Sequence, residues 1–548
     1  MRISALSRVI RLLQIAHTAN ENGKHSLSRR EMLKLSAGVG GMSAGLMAAL
    51  PVSTLFEKNA SAFARSRITR TDPVLIVGGG VSGLVAAYQL QKKGVPCAIY
   101  EASERLGGRM LTVPNFNSEG MFCELGGEAV DTGHTALMSL CAELGVGIQD
   151  LTKEDQGLEE DLYFADGKVI STRQMVIAFQ PLAGQIAKDL RELWGDLPAR
   201  MATYKDRNNP TLLKYDRMSL SHYLYGKKDV EKWVIDLIST LYVCEYGLDA
   251  EEQSAFNFLS MITIGVSKVS GSPFTMNLLG DSDEKFRIEG GSSSLCNALV
   301  KVLQGKVPFN LGHHLLKIED NSGGLKFSFR KSSTVEVSAK QAICTIPFST
   351  LRFVEGIYAL DLNPDLKKGI SEMGYGSVSK WAMGFKSRFW RKDKKYPSTG
   401  SFVSVERQQF SETSRMQKGK SGILTRYLAG TKSTQISYDS LEKDIQFLDR
   451  LYPGAKKEFD NKHVLMPWGQ FPWSKGCYSC LKPGQYTAFN GLAEEAQLGG
   501  RLLFAGEHTS VDYGGFMNGA IESGHASARK IIWSRGIQPQ TRSIAHNY

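Results

Sequence analysis

The stretch PVLIVGGGVSGLVAAYQLQKKGVPCAIYE, from Pro73 to Glu101, constrains what this chain can fold into more than any other. It opens with an apolar run, Val74 to Val77, and meets glycines at Gly78, Gly80 and Gly83. Apolar residues at helical spacing follow from Leu84 to Leu90, and a second apolar run ends on an acid. Each part has a mechanical reason. Gly78 permits a tight turn, Gly80 lets backbone approach a pyrophosphate, and Gly83 lets helix and strand pack closely. The helix start then turns its free N–H groups and positive end toward the phosphates. Glu101, 18 residues after Gly83, is placed to accept hydrogen bonds from the hydroxyls of an adenosine ribose. The glycines alone could be a structural turn; strand, turn, helix, strand and acid together imply a bound dinucleotide.

Directly after the acid, ASERLGGRM supplies Arg105, Gly107, Gly108 and Arg109. A second glycine pair would let another backbone segment cross the pyrophosphate, with the two arginines neutralising it; the plain alternative is a surface turn with solvated arginines. Near the far end, GRLLFAGEHTSVDYGGFMNGAIESGHASARKII reads as a strand from Leu502 to Ala505, a loop opened by Gly506 and Glu507, and a helix from about Gly515 that includes Met517. A helix start against a flavin ring would stabilise the anion that develops there on reduction.

At 548 residues the chain is too long for one simple core, so two domains are expected. The net charge of +11 does not imply a nucleic-acid partner. Residues 1–66 hold nine Lys/Arg against three Asp/Glu, and no dense basic run remains beyond them. That segment reads as an address: Arg29-Arg30 precedes a Gly/Ala/Ser-diluted apolar stretch from Leu35 to about Leu55 and an A-x-A site at Ala62-Phe63-Ala64. It resembles a twin-arginine export signal, which implies passage through the twin-arginine export machinery to the periplasm or the exterior. A basic amphipathic start or a lone membrane anchor is the other reading.

The N-terminal unit, the FRIEGGSSSL turn (Phe286 to Leu295), the AICTIPFSTL strand and loop (Ala342 to Leu351) and the C-terminal segment together resemble the flavin-containing amine oxidases, a family that includes monoamine, polyamine and L-amino-acid oxidases. The resemblance runs from about Pro73 to Ile532. It implies an α/β fold: a Rossmann-like, glutathione-reductase-like FAD-binding domain from 72–135, 283–350 and 490–535, with an interleaved α+β substrate-binding domain from 136–282 and 351–489. A tail, 536–548, follows. Within this frame HTALMSLCAELGV and QPLAGQIAKDLRELWGDL carry helical periodicity, and Leu311 to Ala342, which holds Leu315 as an implied flavin contact, alternates like strands. Arg391 to Thr399 and SETSRMQKGKSG read as surface loops.

The resemblance also implies a reaction: hydride transfer from the carbon bearing nitrogen to the flavin, hydrolysis of the resulting imine, and reoxidation by O2 with release of hydrogen peroxide. Lys380, in GSVSKWAMGFKSRFW, matches the family lysine that holds a water against the flavin, although alternation alone leaves it equally open to solvent. Tyr478 and Phe516 fall where the family carries two rings flanking the substrate amine; Phe516 departs from the double-tyrosine pattern, and either ring could be core packing. An amino-acid substrate requires a cation for its carboxylate, and Arg426 is one candidate. FCELGGEAVDTGHTALMSL instead offers Glu124, Glu128 and Asp131, which would attract a cationic amine or cap the following helix. Desaturases and porphyrinogen oxidases share the fold and form the alternative activity; a non-catalytic flavin-binding protein is the third reading. The oligomeric state is not legible, and a homodimer is left open.

The pair Cys477 and Cys480, in SKGCYSC, is compatible with a redox pair, a disulfide, half a metal site or a cofactor handle. Pro483-Gly484 interrupts the helix a thioredoxin-like pair needs, and the other cysteines are scattered singly, so no metal site is expected. The segment resembles that of monoamine oxidases in which a cysteine forms a thioether to the flavin. Cys477 holds that position.

Overall fold

The structure, a computed structural model, describes residues 9, 12, 13, 16, 17, 20, 68–159, 161–195, 200–262, 283–321 and 324–537. Arg29, Arg30, the apolar stretch after them and Ala62 to Ala64 lie outside the described residues, as does 538–548 of the expected tail.

The Pro73–Glu101 unit folds as its residues dictate. Strand β1 (Val74–Val77) is fully buried, the turn follows, helix α1 (Val81–Lys92) starts directly behind Gly80, and β2 (Cys97–Tyr100) returns parallel to β1. Three more parallel strands complete the sheet: β3 (Phe309–Asn310), β4 (Gln341–Cys344) and β5 (Leu502–Phe504), in spatial order β3-β2-β1-β4-β5. Helix α2 (Met517–Ser534) packs along α1. Gly524 makes the close approach possible, because a Cβ there would sit 2.5 Å from the Ser82 carbonyl. The first and last parts of the chain thus share one layer, which puts the loops after β1, β4 and β5 at one edge.

The second body is built on a seven-stranded sheet in the order 459–467, 378–385, 422–429, 408–412, 402–404, 162–165, 168–170. Its strands Val378–Phe385 and Gly422–Ala429 are buried at every residue, polar Ser379, Lys380, Thr425 and Arg426 included, so neither shows the alternation of a half-exposed strand. The helix Lys232–Tyr246 packs on its strands 402–404, 408–412 and 422–429, and Thr172–Trp194 packs on that helix in turn; Ser171 and Gln174 form a capping box at the start of the latter. The alternating region forms a separate three-stranded antiparallel sheet, 314–321, 324–330 and 334–339.

Three expectations change. Helix Thr135–Leu144, assigned above to the substrate domain, packs with the first body: Leu137, Leu140 and Cys141 join the buried cluster of α1 and α2, and the following strand, 148–150, pairs with 286–288. The loop SETSRMQKGKSG is not simply surface. Thr413 and Ser414 are fully buried, and the Arg287 guanidinium donates to the carbonyls of Thr413 and Arg415. Nor is 1–66 wholly separate from the fold, since Val9, Leu12, Leu13 and Ala16 are helical, at most 3% exposed, and join the largest core cluster. Their spacing is one apolar helix face, and Asn20 Nδ2 donates to the carbonyl of Gln180 at 2.7 Å.

Candidate active site

One cavity of about 650 Å³ runs from the glycine turn to the start of α2. Its near end is a cradle made by absent side chains. Gly80 and Gly108 approach so closely that a Cβ on Gly108 would be 3.1 Å from the Gly80 Cα, and a Cβ on Gly83 would be 2.1 Å from the Gly78 carbonyl oxygen. Gly80 caps α1 with no side-chain bond, leaving the first N–H groups of the helix to face the cavity. Glu101 lines the same end. Its Oε2 accepts from the Gly79 N–H at 2.6 Å, and its Oε1 accepts from the Ser103 N–H and hydroxyl, both at 2.8 Å. The carboxylate is thereby fixed in position, with further lone pairs available for ribose hydroxyls.

The two arginines do not act as expected. Arg105 lines the cavity, but its guanidinium is turned onto its own loop, donating to the carbonyls of Leu106, Gly108 and Met110. Arg109 reaches away from the phosphate end to donate to the Cys477 carbonyl and to Glu507 Oε1, each at 2.8 Å. Both still contribute positive charge to the wall. Glu507 in turn accepts from the Ser479 hydroxyl and the Gly515 N–H, each at 2.7 Å, so it fastens three chain segments together rather than facing a ligand alone. Burial pushes its carboxyl up, but the Arg109 and His508 charges and the Ser479 hydroxyl bring it below the usual carboxylate range. Gly506 and Leu315 line the cavity as expected, the latter beside a β-bulge.

At the far end α2 begins at Met517, two residues after the expected start, with Phe516 as its N-cap and no side chain bonded across the helix start. Tyr478, Phe516 and Met517 line this end together. Tyr478 shares a 2.7 Å hydrogen bond with the Tyr427 hydroxyl, with 3.2 Å between its oxygen and the Cys244 carbonyl; its ring lies against Gly515. Phe516 meets His134 edge-on at 5.0 Å. Cys477 lines the cavity beside Tyr478, buried, its sulfur close to Gly247 and Gly376. Cys477 and Cys480 are both free thiols, so the disulfide alternative is not realised. Burial pushes the Cys477 thiol up to about 12. Among the described residues no group of His, Cys, Asp and Glu is arranged to hold a metal.

Lys380 is 2% exposed, which settles the choice between surface and interior. Its Nζ donates to the Gly126 carbonyl at 3.2 Å and to Glu128 Oε2 at 3.0 Å, and Gly126 and Gly127 form part of the cavity wall. The acids of FCELGGEAVD are therefore not a free cluster. Glu124 is fully buried against Thr112 and Ser292, Glu128 is paired with Lys380, and Asp131 accepts the Glu284 N–H and lies 3.3 Å from His134. None caps the following helix, whose N-cap His134 makes no side-chain cap. Arg426 is paired with the buried Asp444 and is no carboxylate clamp for this cavity. Sequence reasoning missed Tyr427 and Trp468. The latter lines the cavity and donates to the Leu125 carbonyl at 2.6 Å, and no local pattern marks either residue.

A glycine cradle, a ribose-side acid and an uncapped helix start at opposite ends of one cavity define an FAD-dependent oxidoreductase. Residues 81–532 match the flavin-containing amine oxidoreductases, and the chain belongs to that family. The flavin-containing amine oxidase of Oncorhynchus mykiss is 25% identical over 494 residues, 86% of this chain and 88% of that protein. An L-amino-acid oxidase of Siganus canaliculatus is 23% identical over 483 residues, 85% of this chain and 86% of that one. Among solved structures, the cyclohexylamine oxidase of Brevibacterium oxydans IH-35A has the same fold, with a TM-score of 0.70 at 18% identity over 85% of this chain and 99% of that one. Putrescine oxidase bound to putrescine gives 0.66 at 20% identity, covering 85% of this chain and all of that chain.

Proposed function

We propose that the chain oxidises the C–N bond of an amine at the Tyr478–Phe516 end of the cavity, with O2 as the electron acceptor and hydrogen peroxide as product. When bound, FAD accepts the two electrons of the C–H bond and passes them to oxygen. Gly78, Gly80, Gly83, Gly108 and Glu101 would hold its phosphates and ribose, Leu315 the adenine side, and the start of α2 the ring. Tyr478, anchored through its hydroxyl, and Phe516, braced by His134, would orient the substrate nitrogen and exclude water. Lys380 would hold a water or oxygen at the wall formed by Gly126. We further propose a thioether between Cys477 and a methyl carbon of the flavin, in which the S–H and one C–H bond would break as the C–S bond forms and the two electrons would pass through the flavin to O2; the place of Cys477 in the cavity lining beside Tyr478 supports it.

The observation that favours an amine over an L-amino acid is the charge around the ring pair. Among the described residues the arginines and lysines lining the cavity are Arg105, Arg109, Arg330 and Lys475, the last with its ammonium over the Phe353 ring. Arg105 and Arg109 are bonded to protein acceptors, and Arg330 lies 3.0 Å from His314 beyond the adenine side. Carboxylates lie behind the rings instead, outside the cavity lining: Glu245 acts electrostatically on Tyr478, and Asp131 lies against His134. Peroxide release from a panel of primary amines, diamines and L-amino acids tests this reading: turnover of amines supports it, and turnover confined to L-amino acids contradicts it. Export through the twin-arginine pathway, proposed from Arg29-Arg30 and the apolar stretch behind them, is tested by fractionating cells that express the chain with Arg29 and Arg30 intact or replaced by lysine.

A further inference from the structure

Lys380 is one of three ionisable side chains in a row. Glu128 bonds it through Oε2 at 3.0 Å, and the other oxygen of the same carboxylate lies 3.9 Å from the guanidinium of Arg287. Lys380 and Arg287 are nearly sealed from solvent, at 2% and 1% exposed, and only the Glu128 side chain has partial access, at 17%. Removing charges from water is expensive, and such a row adds little stability compared with apolar packing, so stability alone is a poor reason for it.

Arg287 and the backbone that carries Glu128 are both fixed. Arg287 is tied to the carbonyls of Thr413 and Arg415 and lies 5.0 Å over the Phe122 ring. The backbone that carries Glu128 is wedged on both sides: a Cβ on Gly126 would stand 2.1 Å from the Arg109 carbonyl oxygen, and one on Gly127 would stand 2.8 Å from the Met517 sulfur. Lys380 is the only flexible member, a point charge on a four-carbon stem with three rotatable donors. Two of those donors are directed to Gly126 and Glu128, which holds the ammonium against the cavity wall.

We propose that Glu128, braced by Arg287, is a positioning residue that holds the Lys380 ammonium at the edge of the flavin. The inference rests on the reading above that Lys380 acts at the cavity wall formed by Gly126, to whose carbonyl its ammonium is bonded. Its consequence is electrostatic. A positive charge fixed beside the ring stabilises the negative charge that gathers there on reduction and on oxygen as it accepts electrons. Without the clamp the stem is released and that charge is no longer held in place.

The flavin midpoint potential separates this role from a structural one by its sign. The FAD-loaded Glu128→Gln and Glu128→Asp proteins are compared with wild type and with Lys380→Met by equilibration with a reference dye. Removing the negative charge of Glu128 while Lys380 stays in place raises the potential; losing the ammonium from the ring edge lowers it. The expected result is a lowered potential in Glu128→Gln, in the direction of Lys380→Met, with a smaller shift of the same sign in Glu128→Asp. In stopped flow, reoxidation by O2 slows by about tenfold or more while anaerobic reduction by an amine changes by less than about threefold. A raised potential overturns the proposal, and so does an unchanged potential accompanied only by a lower Tm. Wild-type protein that binds FAD but is not reduced by any amine refutes the functional reading instead, and the potential comparison is still made with a chemical reductant.

Discussion

Arg109 and Glu507, 398 residues apart in sequence, meet in a 2.8 Å ion pair that closes one wall of the cavity. The Glu507 side chain is 6% exposed and also gathers Ser479 and Gly515, so this contact joins the loop after β2, the cysteine segment and the start of α2. Glu507→Gln leaves the partly buried Arg109 guanidinium without its partner charge, at a cost of about 2 kcal/mol. FAD affinity measured by fluorescence titration falls by roughly 100-fold, and Tm falls with it.

Two glycines of the same turn have separable roles. A Cβ on Gly80 meets nothing nearer than the Gly108 Cα at 3.9 Å, and Gly80 has a negative φ of −68°, so Gly80→Ala leaves the FAD-free fold within about 1 kcal/mol of wild type. The added methyl lies where a pyrophosphate must approach, and FAD binding is lost. Gly83→Ala drives its methyl into the Gly78 carbonyl oxygen, 2.1 Å away, and destabilises the fold itself by about 3 kcal/mol. Urea unfolding with and without FAD distinguishes the two.

That difference also explains what could be read from sequence. The Gly78–Glu101 unit is local in its strand, helix and acid: Gly83 answers to the Gly78 carbonyl and Glu101 accepts from Gly79, so pattern alone predicts it, although Gly78 packs against the distant Thr345 and Gly80 against Gly108. Lys380 sits on a strand covered on both faces, where period-two alternation has no meaning, and its burial became clear only from the sheet. The true partners of Arg109, Glu128 and Arg426 are Glu507, Lys380 and Asp444, which come from distant segments. Side-chain type showed that these charges existed; only the fold showed which were already neutralised. The helix face Val9, Leu12, Leu13 and Ala16 lies ahead of the twin-arginine pattern, and a segment that reads as an address carries no expectation of joining the core.

Stability should depend on pH through two buried groups of opposite sign. Burial pushes the His508 imidazole down to about 4 from 6.5, so the unfolded chain binds the extra proton first and stability falls as pH drops from about 6.5 toward 4. Burial, and next the charge of Glu128, push the Glu124 carboxyl up to about 7 from 4.5, so the unfolded chain ionises first and stability falls as pH rises from about 4.5 toward 7. Each slope amounts to about 3 kcal/mol at most. Urea midpoints across pH show His508→Phe removing the acid-side loss and Glu124→Gln removing the neutral-side loss.

Tyr478 contributes a ring and an anchor. Tyr478→Phe loses the bond to the Tyr427 hydroxyl but keeps the face presented to the substrate, and kcat/KM falls by less than about tenfold. Tyr478→Ala removes the wall and lowers kcat/KM by about 100-fold or more. Steady-state peroxide assays report both.

The thioether proposed at Cys477 predicts that acid precipitation leaves the yellow colour in the pellet of wild-type protein and in the supernatant of Cys477→Ala. Colour wholly in the wild-type supernatant refutes the tether and leaves the rest of the site as described.

The most direct test of an amine-oxidising flavin held between the two ends of the chain is anaerobic mixing of FAD-loaded protein with an amine panel, followed by admission of air. The account predicts bleaching of the flavin absorption by at least one amine, then recovery of the colour with one hydrogen peroxide formed per flavin. Protein that remains colourless after incubation with FAD, or that binds FAD and is bleached by no amine, contradicts it.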